Sequence, residues 1–196
     1  MKTGWIVLIV FAVVAFLGVS WTVGSYNGLV SSEETVDGQW SNVENVYQRR
    51  ADLIPNLVST VKGYASHEQE TFTAVIEARS KATSTNIDAS NLTPETLKAF
   101  QANQGALSSA LSKLMVVVEA YPELKANQNF LDLQAQLEGT ENRIAVERRK
   151  FNEVAKVYNT NRRVFPKVII ANMFGFEAKP YFEAEEGAEK APVVEF

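Results

Sequence analysis

Cysteine is absent from the 196 residues, and histidine occurs once. Without cysteine there is no disulfide, no zinc–thiolate site, no iron–sulfur cluster and no thiol nucleophile. A lipid-modified cysteine at the N-terminus is excluded for the same reason. The lone His67 stands in the run SHEQET. That is not H-E-x-x-H, because the second histidine is missing. A di-iron bundle would need a Glu-x-x-His pair on each of two facing helices, and one histidine cannot supply both. A Ser-His-Asp triad would depend on the same residue, and no nucleophile elbow or phosphate-binding glycine pattern accompanies it. His67 therefore reads as a surface or boundary residue. Positive charge is also scarce: 19 Lys and Arg stand against 23 Asp and Glu, for a net charge of −4. Such a chain lacks the positive field that phosphate backbones require, which argues against nucleic acid as a partner. The sequence offers no catalytic, cofactor or metal constellation, and the chain is read as a non-enzyme.

Charge disappears completely over residues 5–23, WIVLIVFAVVAFLGVSWTV. As a helix this stretch reaches roughly 30 Å, the thickness of a bilayer's hydrocarbon core. Trp5 and Trp21 stand near its ends, where indoles favour the headgroup region. A cleaved signal peptide would have a shorter apolar run and a small-residue cleavage site, so an uncleaved anchor is the better reading. Lys2 precedes the span, while Glu33, Glu34, Asp37 and Glu44 follow it, with no Lys or Arg before Arg49. The positive-inside rule then puts the N-terminus in the cytoplasm and the body outside the bacterial cytoplasmic membrane. Residues 24–32 form either a flexible joint or a helical continuation, with Ser31 or Ser32 as a candidate N-cap. Gly24 and Gly28 make a small-xxx-small spacing, which suits either a helix–helix contact or a loop.

Residues 36–78 read as one long amphipathic helix. Val36, Val43, Leu57 and Tyr64 follow a seven-residue grid, and Trp40, Tyr47, Ile54, Val61 and Val75 follow its companion. Arg50 and Glu68 interrupt the two series. Pro55 predicts a kink, or a division near Asp52. Residues 83–93, rich in Ser, Thr and Asn, read as a loop, with Thr93 capping a second helix that starts at Pro94. That helix carries Leu97, Phe100, Leu107, Leu111, Leu114 and Val118 on its stripe, interrupted by Asn103 and Gln104, and stops at Tyr121-Pro122. A third helix over 122–163 repeats Phe130, Leu137, Ile144, Phe151, Tyr158 and Phe165 every seven residues, ahead of Pro166. Its companion series is polar and includes Asn127, Glu141 and Arg148. A short apolar element follows at 168–176.

The expected fold is all-α: an N-terminal transmembrane helix, then an elongated antiparallel bundle of three long helices plus a short fourth. The expected divisions are an anchor at 1–24, a bundle at 25–176 and an acidic, disordered tail at 177–196. Arg50, Glu68, Asn103, Asn127, Glu141 and Arg148 occupy stripe positions that a plain bundle would fill with leucine. They are read as a structural polar layer, with Arg50 paired to Glu141, because a buried charge must find a partner. The second helix is too short to wall the whole of the first, so Val36, Trp40 and Val43 are expected to be covered by another copy of the chain.

The runs YQRRADLIPNLVSTVKGYASHE (47–68), YPELKANQNFLDLQAQLEGTENRIAVERRKFN (121–152) and FPKVIIANMFGF (165–176) resemble the LemA family, as does YNGLV (26–30) after an anchor. The resemblance covers nearly the whole chain except the acidic tail. It implies a single-pass bacterial membrane protein with a helical-bundle body, and brings no catalytic residues or cofactor with it. The function expected from both readings is a membrane-anchored scaffold or adaptor of the cell envelope. It would self-associate and contact the bilayer and other envelope membrane proteins. The alternative is an envelope sensor holding a small anionic or peptide ligand near Arg50 and Arg148.

Overall fold

A computed structural model describes residues 2–85 and 87–183. No strand occurs among the described residues. The helices are α1 (Lys2–Lys62), α2 (Gln69–Ser84), α3 (Pro94–Val118), α4 (Pro122–Lys125), α5 (Gln128–Arg163) and α6 (Lys167–Met173), with a 3-10 turn at Ala89–Asn91. The all-α bundle with one long apolar N-terminal helix is thus the observed architecture.

The first helix runs for 61 residues without a joint, about 90 Å at the standard rise. Residues 24–32 continue it, so Ser31 and Ser32 cap nothing; the Ser32 hydroxyl instead donates to the Gly28 carbonyl inside the helix (2.8 Å). Over residues 5–23 its apolar side chains are exposed, and no other element packs on them. A wholly exposed apolar helix of this length fits a membrane protein. From Leu29 onward the same helix becomes the spine of the body. Leu29, Val36, Val43, Arg50 and Leu57 are buried in one series, and Trp40, Tyr47, Ile54 and Val61 in the other.

The predicted helix over 36–78 divides, and at a different place from the one Pro55 suggests. The chain leaves α1 at Lys62, turns through residues 63–68, and returns as α2 against α1. Pro55 stays inside α1. Proline has no N–H, so the carbonyl of Ala51, one turn back, loses its helical partner. Ala51 is buried, and its carbonyl accepts instead from Arg79 Nε on α2 at 2.7 Å. Tyr64, past the end of the helix, falls off the stripe and is exposed.

Helix α3 begins as expected. Thr93 Oγ1 accepts from the Thr96 backbone N–H, and Thr96 Oγ1 accepts from that of Thr93, a reciprocal capping box ahead of Pro94. The predicted third helix is split at Ala126. Asn127 caps α5, its Oδ1 accepting from the Phe130 N–H at 3.1 Å. Helix α5 runs antiparallel along α1. Phe130, Ile144, Phe151 and Tyr158 are buried on their heptad grid, while Phe165 lies past the helix end and is 81% exposed.

Three apolar clusters stack along α1. The one farthest from the span joins Ile54, Leu57 and Val61 to Phe72, Leu107, Leu114 and Phe130. The middle one joins Val36, Trp40, Val43 and Tyr47 to Phe100, Phe151, Tyr158 and Phe182. The third, next to the span, joins Leu29 to Ile170 and Ala171 of α6. The middle cluster corrects two expectations. Val36, Trp40 and Val43 are fully buried inside the chain, so they form no surface for self-association. Helix α3 reaches this end after all, through Leu97 and Phe100, the Phe100 ring lying 5.4 Å from that of Trp40. The rest of the wall comes from α5, from Ile87 and Leu92 of the loop before α3, and from Phe182 of the C-terminal segment. Trp40 Nε1 donates to the Ile87 carbonyl (2.9 Å), and its ring stacks on Phe182 at 6.0 Å. Residues 177–183 are accordingly not a loose tail. They form an extended strap on the bundle. Residues 184–196, for which disorder was expected, lie outside the described residues.

Candidate functional site

Arg50 marks the boundary between the two larger clusters, where the α1 grid brings a guanidinium to a position otherwise filled by aliphatic side chains. It is 2% exposed. Its Nη1 donates to Glu141 Oε1 on α5 (2.8 Å) and to Ser108 Oγ on α3 (3.1 Å). Its Nη2 donates to the side-chain Oε1 of Gln104 and reaches that residue's backbone carbonyl at 3.4 Å. The Tyr47 ring lies 5.1 Å from the guanidinium carbon, adding a cation–π contact. Gln104 passes the connection on, its Nε2 donating to the Ala82 carbonyl of α2 at 3.3 Å. One charged side chain on α1 is thereby tied to α3 and α5 directly, and to α2 through Gln104.

The expected Arg50–Glu141 pair is therefore present, with an asymmetry the sequence did not show. Glu141 is 43% exposed while Arg50 is not. The carboxylate keeps much of its hydration, and the guanidinium depends on protein partners. Gln104 and Ser108 complete the layer and were not among the sequence candidates. A signal for Gln104 existed: Leu97, Gln104, Leu111 and Val118 are seven apart, so the glutamine sits on the α3 stripe and its neighbour Asn103 does not.

The other candidates lie elsewhere. Glu68 precedes α2 and accepts from the Tyr121 hydroxyl at 3.3 Å. Asn103 donates to Thr85 Oγ1 (2.7 Å), pinning the start of the loop to α3. Asn127 caps α5 and donates to the Tyr64 hydroxyl at 3.0 Å. Arg148 belongs to the strap: its Nη2 donates to the Glu183 carbonyl (2.8 Å), and its guanidinium covers the Phe182 ring.

The strap is held by two asparagines seven apart on α5. Asn152 donates to the Phe182 carbonyl (2.9 Å) and accepts from the Phe182 N–H (2.8 Å). Asn159 does the same for Lys179, at 2.8 and 3.0 Å. Each amide thus satisfies both backbone groups of one extended residue. Lys179 itself is buried, with its Nζ 3.0 Å from Glu33 and 3.3 Å from Asp37 on α1. The nearby Tyr158 hydroxyl is pushed up to about 12 by burial and then by the Glu33 carboxylate, so it stays neutral.

What this arrangement can do chemically is limited by how far it is self-paired, with Arg50 Nε the one nitrogen of that guanidinium left without an acceptor among the described residues. Both terminal nitrogens of Arg50 have acceptors within the chain. The cavity beside them, lined by Arg50, Gln104, Ser108, Glu141 and Arg148, holds about 120 Å³. The groove on the far side of Gln104 holds about 260 Å³. Both are below the roughly 300–1,000 Å³ of ordinary small-molecule sites. Among the described residues, no three His, Asp or Glu side chains gather to hold a metal.

These features define a class: a helical bundle built directly onto an apolar N-terminal helix, with its buried polar groups engaged in holding helices together. The chain belongs to the LemA family, whose model matches residues 39–196. It is similar to magnetosome protein MamQ 2 of Paramagnetospirillum magneticum, 28% identical over 96% of this chain and 74% of that protein. Magnetosome protein MamQ of Magnetospirillum gryphiswaldense is also 28% identical, over 86% of this chain and 68% of its own length. Protein LemA of Metamycoplasma hominis is 25% identical over 84% of this chain and 71% of that protein.

Proposed function

We propose that this chain is a non-enzymatic scaffold or adaptor of the bacterial envelope, anchored by residues 5–23 with its body outside the cytoplasm. The observation that carries the reading is the unbroken α1. A span that continues as the spine of the body fixes the body's distance and orientation relative to the bilayer. An enzyme tethered near a membrane gains little from such stiffness, whereas a scaffold depends on it. The Arg50 layer supports the same reading, since both terminal nitrogens of the guanidinium are already engaged and its charge is met by Glu141. The topology rests on Lys2 before the span and the acidic residues after it. The proposed partners are other envelope membrane proteins and further copies of the chain. Copies would meet through the span and just past its end, where Gly24 and Gly28 face open space four residues apart.

The test is a membrane-impermeant crosslinker applied from the extracytoplasmic side of intact cells. It would be applied to the native chain and to a variant with a flexible Gly-Ser insertion between Val23 and Gly24. The expected result is discrete adducts with the native chain, to envelope proteins or to itself, and their loss in the folded, membrane-bound insertion variant. No adduct from that side, or adducts indifferent to the insertion, would overturn the proposal.

A further inference from the structure

The apolar surface that remains exposed on the body is concentrated at one place. Helix α6 buries Ile170 and Ala171 against Leu29 of α1. Its other side leaves Ile169 51% and Met173 66% exposed, four residues apart and so on one helical face. Phe165 before the helix and Phe174 after it are exposed as well. Soluble surfaces seldom gather so many large apolar side chains around one short element.

Position says what covers them. The Phe174 ring lies 4.9 Å from that of Tyr26. Tyr26 is three residues past Val23, the last residue of the apolar run, or about 4.5 Å along the helix. Leu29, on which α6 sits, is about 9 Å past it. The polar zone on each side of the hydrocarbon core is about 5–8 Å deep. Helix α6 is therefore held at the outer edge of the headgroup zone, with its Phe174 end inside it, by packing on the very helix that enters the bilayer. Arg163 precedes it and Lys167 opens it, where long basic side chains can reach lipid phosphates while their neighbours stay apolar. Tyr26, with Phe174 packed against it, and Trp21 near the end of the span are of the residue types, Tyr and Trp, that favour this zone.

We propose that α6 and its flanks, through Phe165, Ile169, Met173 and Phe174, are a second membrane contact of the chain, seated in the headgroup and upper acyl region of a bilayer containing anionic phospholipid. The body then stands on the membrane by the span and by α6 together, which fixes its tilt and its rotation about α1. This rests on the reading that residues 5–23 cross the bilayer.

The absence of cysteine makes the test clean, since every introduced thiol is unique. Full-length protein with Ile169→Cys, Met173→Cys, Val13→Cys in the span or Val116→Cys on α3 would carry an environment-sensitive fluorophore. Each would be reconstituted in vesicles of phosphatidylcholine and phosphatidylglycerol. Ile169, Met173 and Val116 are exposed on the body, so none of these replacements opens the core. The expected result is quenching at 169 and 173 by a nitroxide placed shallowly on the acyl chain, with protection from aqueous iodide. At 116 the expected result is iodide quenching and no lipid quenching. Labels at 169 and 173 that behave like the one at 116 would overturn the contact. Labels protected from both quenchers would overturn it too, by showing a second protein on this face. Failure of a deep-acyl nitroxide to quench the label at 13 would instead overturn the membrane span, and this contact with it.

Discussion

At the scale of the residue, Arg50 decides what the bundle's centre can be. A guanidinium removed from water needs its partners, and here Glu141, Gln104 and Ser108 supply them from α5 and α3. The two members of the ion pair are not equivalent. Arg50→Ala leaves the buried Gln104 groups without their donor and opens a void, at a cost of about 3–4 kcal/mol. Glu141→Ala removes a carboxylate that is 43% exposed and leaves the guanidinium its neutral partners Ser108 and Gln104. Water can reach the guanidinium where the carboxylate stood, so the cost is smaller, about 2 kcal/mol. Chemical denaturation of both variants checks the order. An equal or reversed order would mean that Glu141, not the α3 side, carries the layer. The pairing of Arg50 with Glu141 was legible because Arg50 interrupts an apolar heptad of α1 and Glu141 stands on the polar companion series of α5. The shielding that separates them was not, because it depends on how α3 crosses the seam.

At the scale of the element, the hairpin of α1 and α2 shows why the heptads were read correctly and the helix boundary was not. Apolar spacing persists through Val75, so a single helix to about residue 78 is what the pattern describes. The pattern is kept because α2 presents Phe72, Val75 and Ala82 to the same core after the chain has turned back. Proline was the loud signal and Gly63 the quiet one, yet the chain turns after Lys62 and passes through Pro55. The reason is tertiary: Arg79 supplies from α2 the donor that Pro55 withholds from Ala51. Arg79→Met should then cost about 1.5–3 kcal/mol, the range for a hydrogen bond to a charged donor. In a Pro55→Ala background, where an N–H at position 55 can satisfy Ala51, the same change should cost clearly less. Thermal unfolding of the four proteins of this cycle measures the difference. Simple additivity would mean that Arg79 acts through packing alone.

At the scale of the whole molecule, the body is a stack of clusters on one spine, and its closure near the span depends on segments that carry no helical pattern. The loop containing Ile87 and the strap containing Phe182 complete the wall around Trp40. This was hidden in the sequence because residues from Glu183 onward are acidic and small, a composition that suggests a loose end. The ordering information lies in Asn152 and Asn159, which look like ordinary exposed positions of α5 until the strap is laid across them. Their four hydrogen bonds to the strap backbone are worth about 2–4 kcal/mol together, at the usual net value for each. Asn152→Ala with Asn159→Ala should release the strap, wet one face of Trp40 and lower stability by that amount. The cluster built on Ile54, Leu107 and Phe130 touches none of these groups, so helical content should persist. With Trp5 and Trp21 replaced by Phe, the emission of Trp40 alone reports the outcome, moving to the red as Phe182 leaves its face. Emission that stays blue in the double variant would show that Phe182 and Lys179 hold the strap without the asparagines, the lysine through its bridges to Glu33 and Asp37.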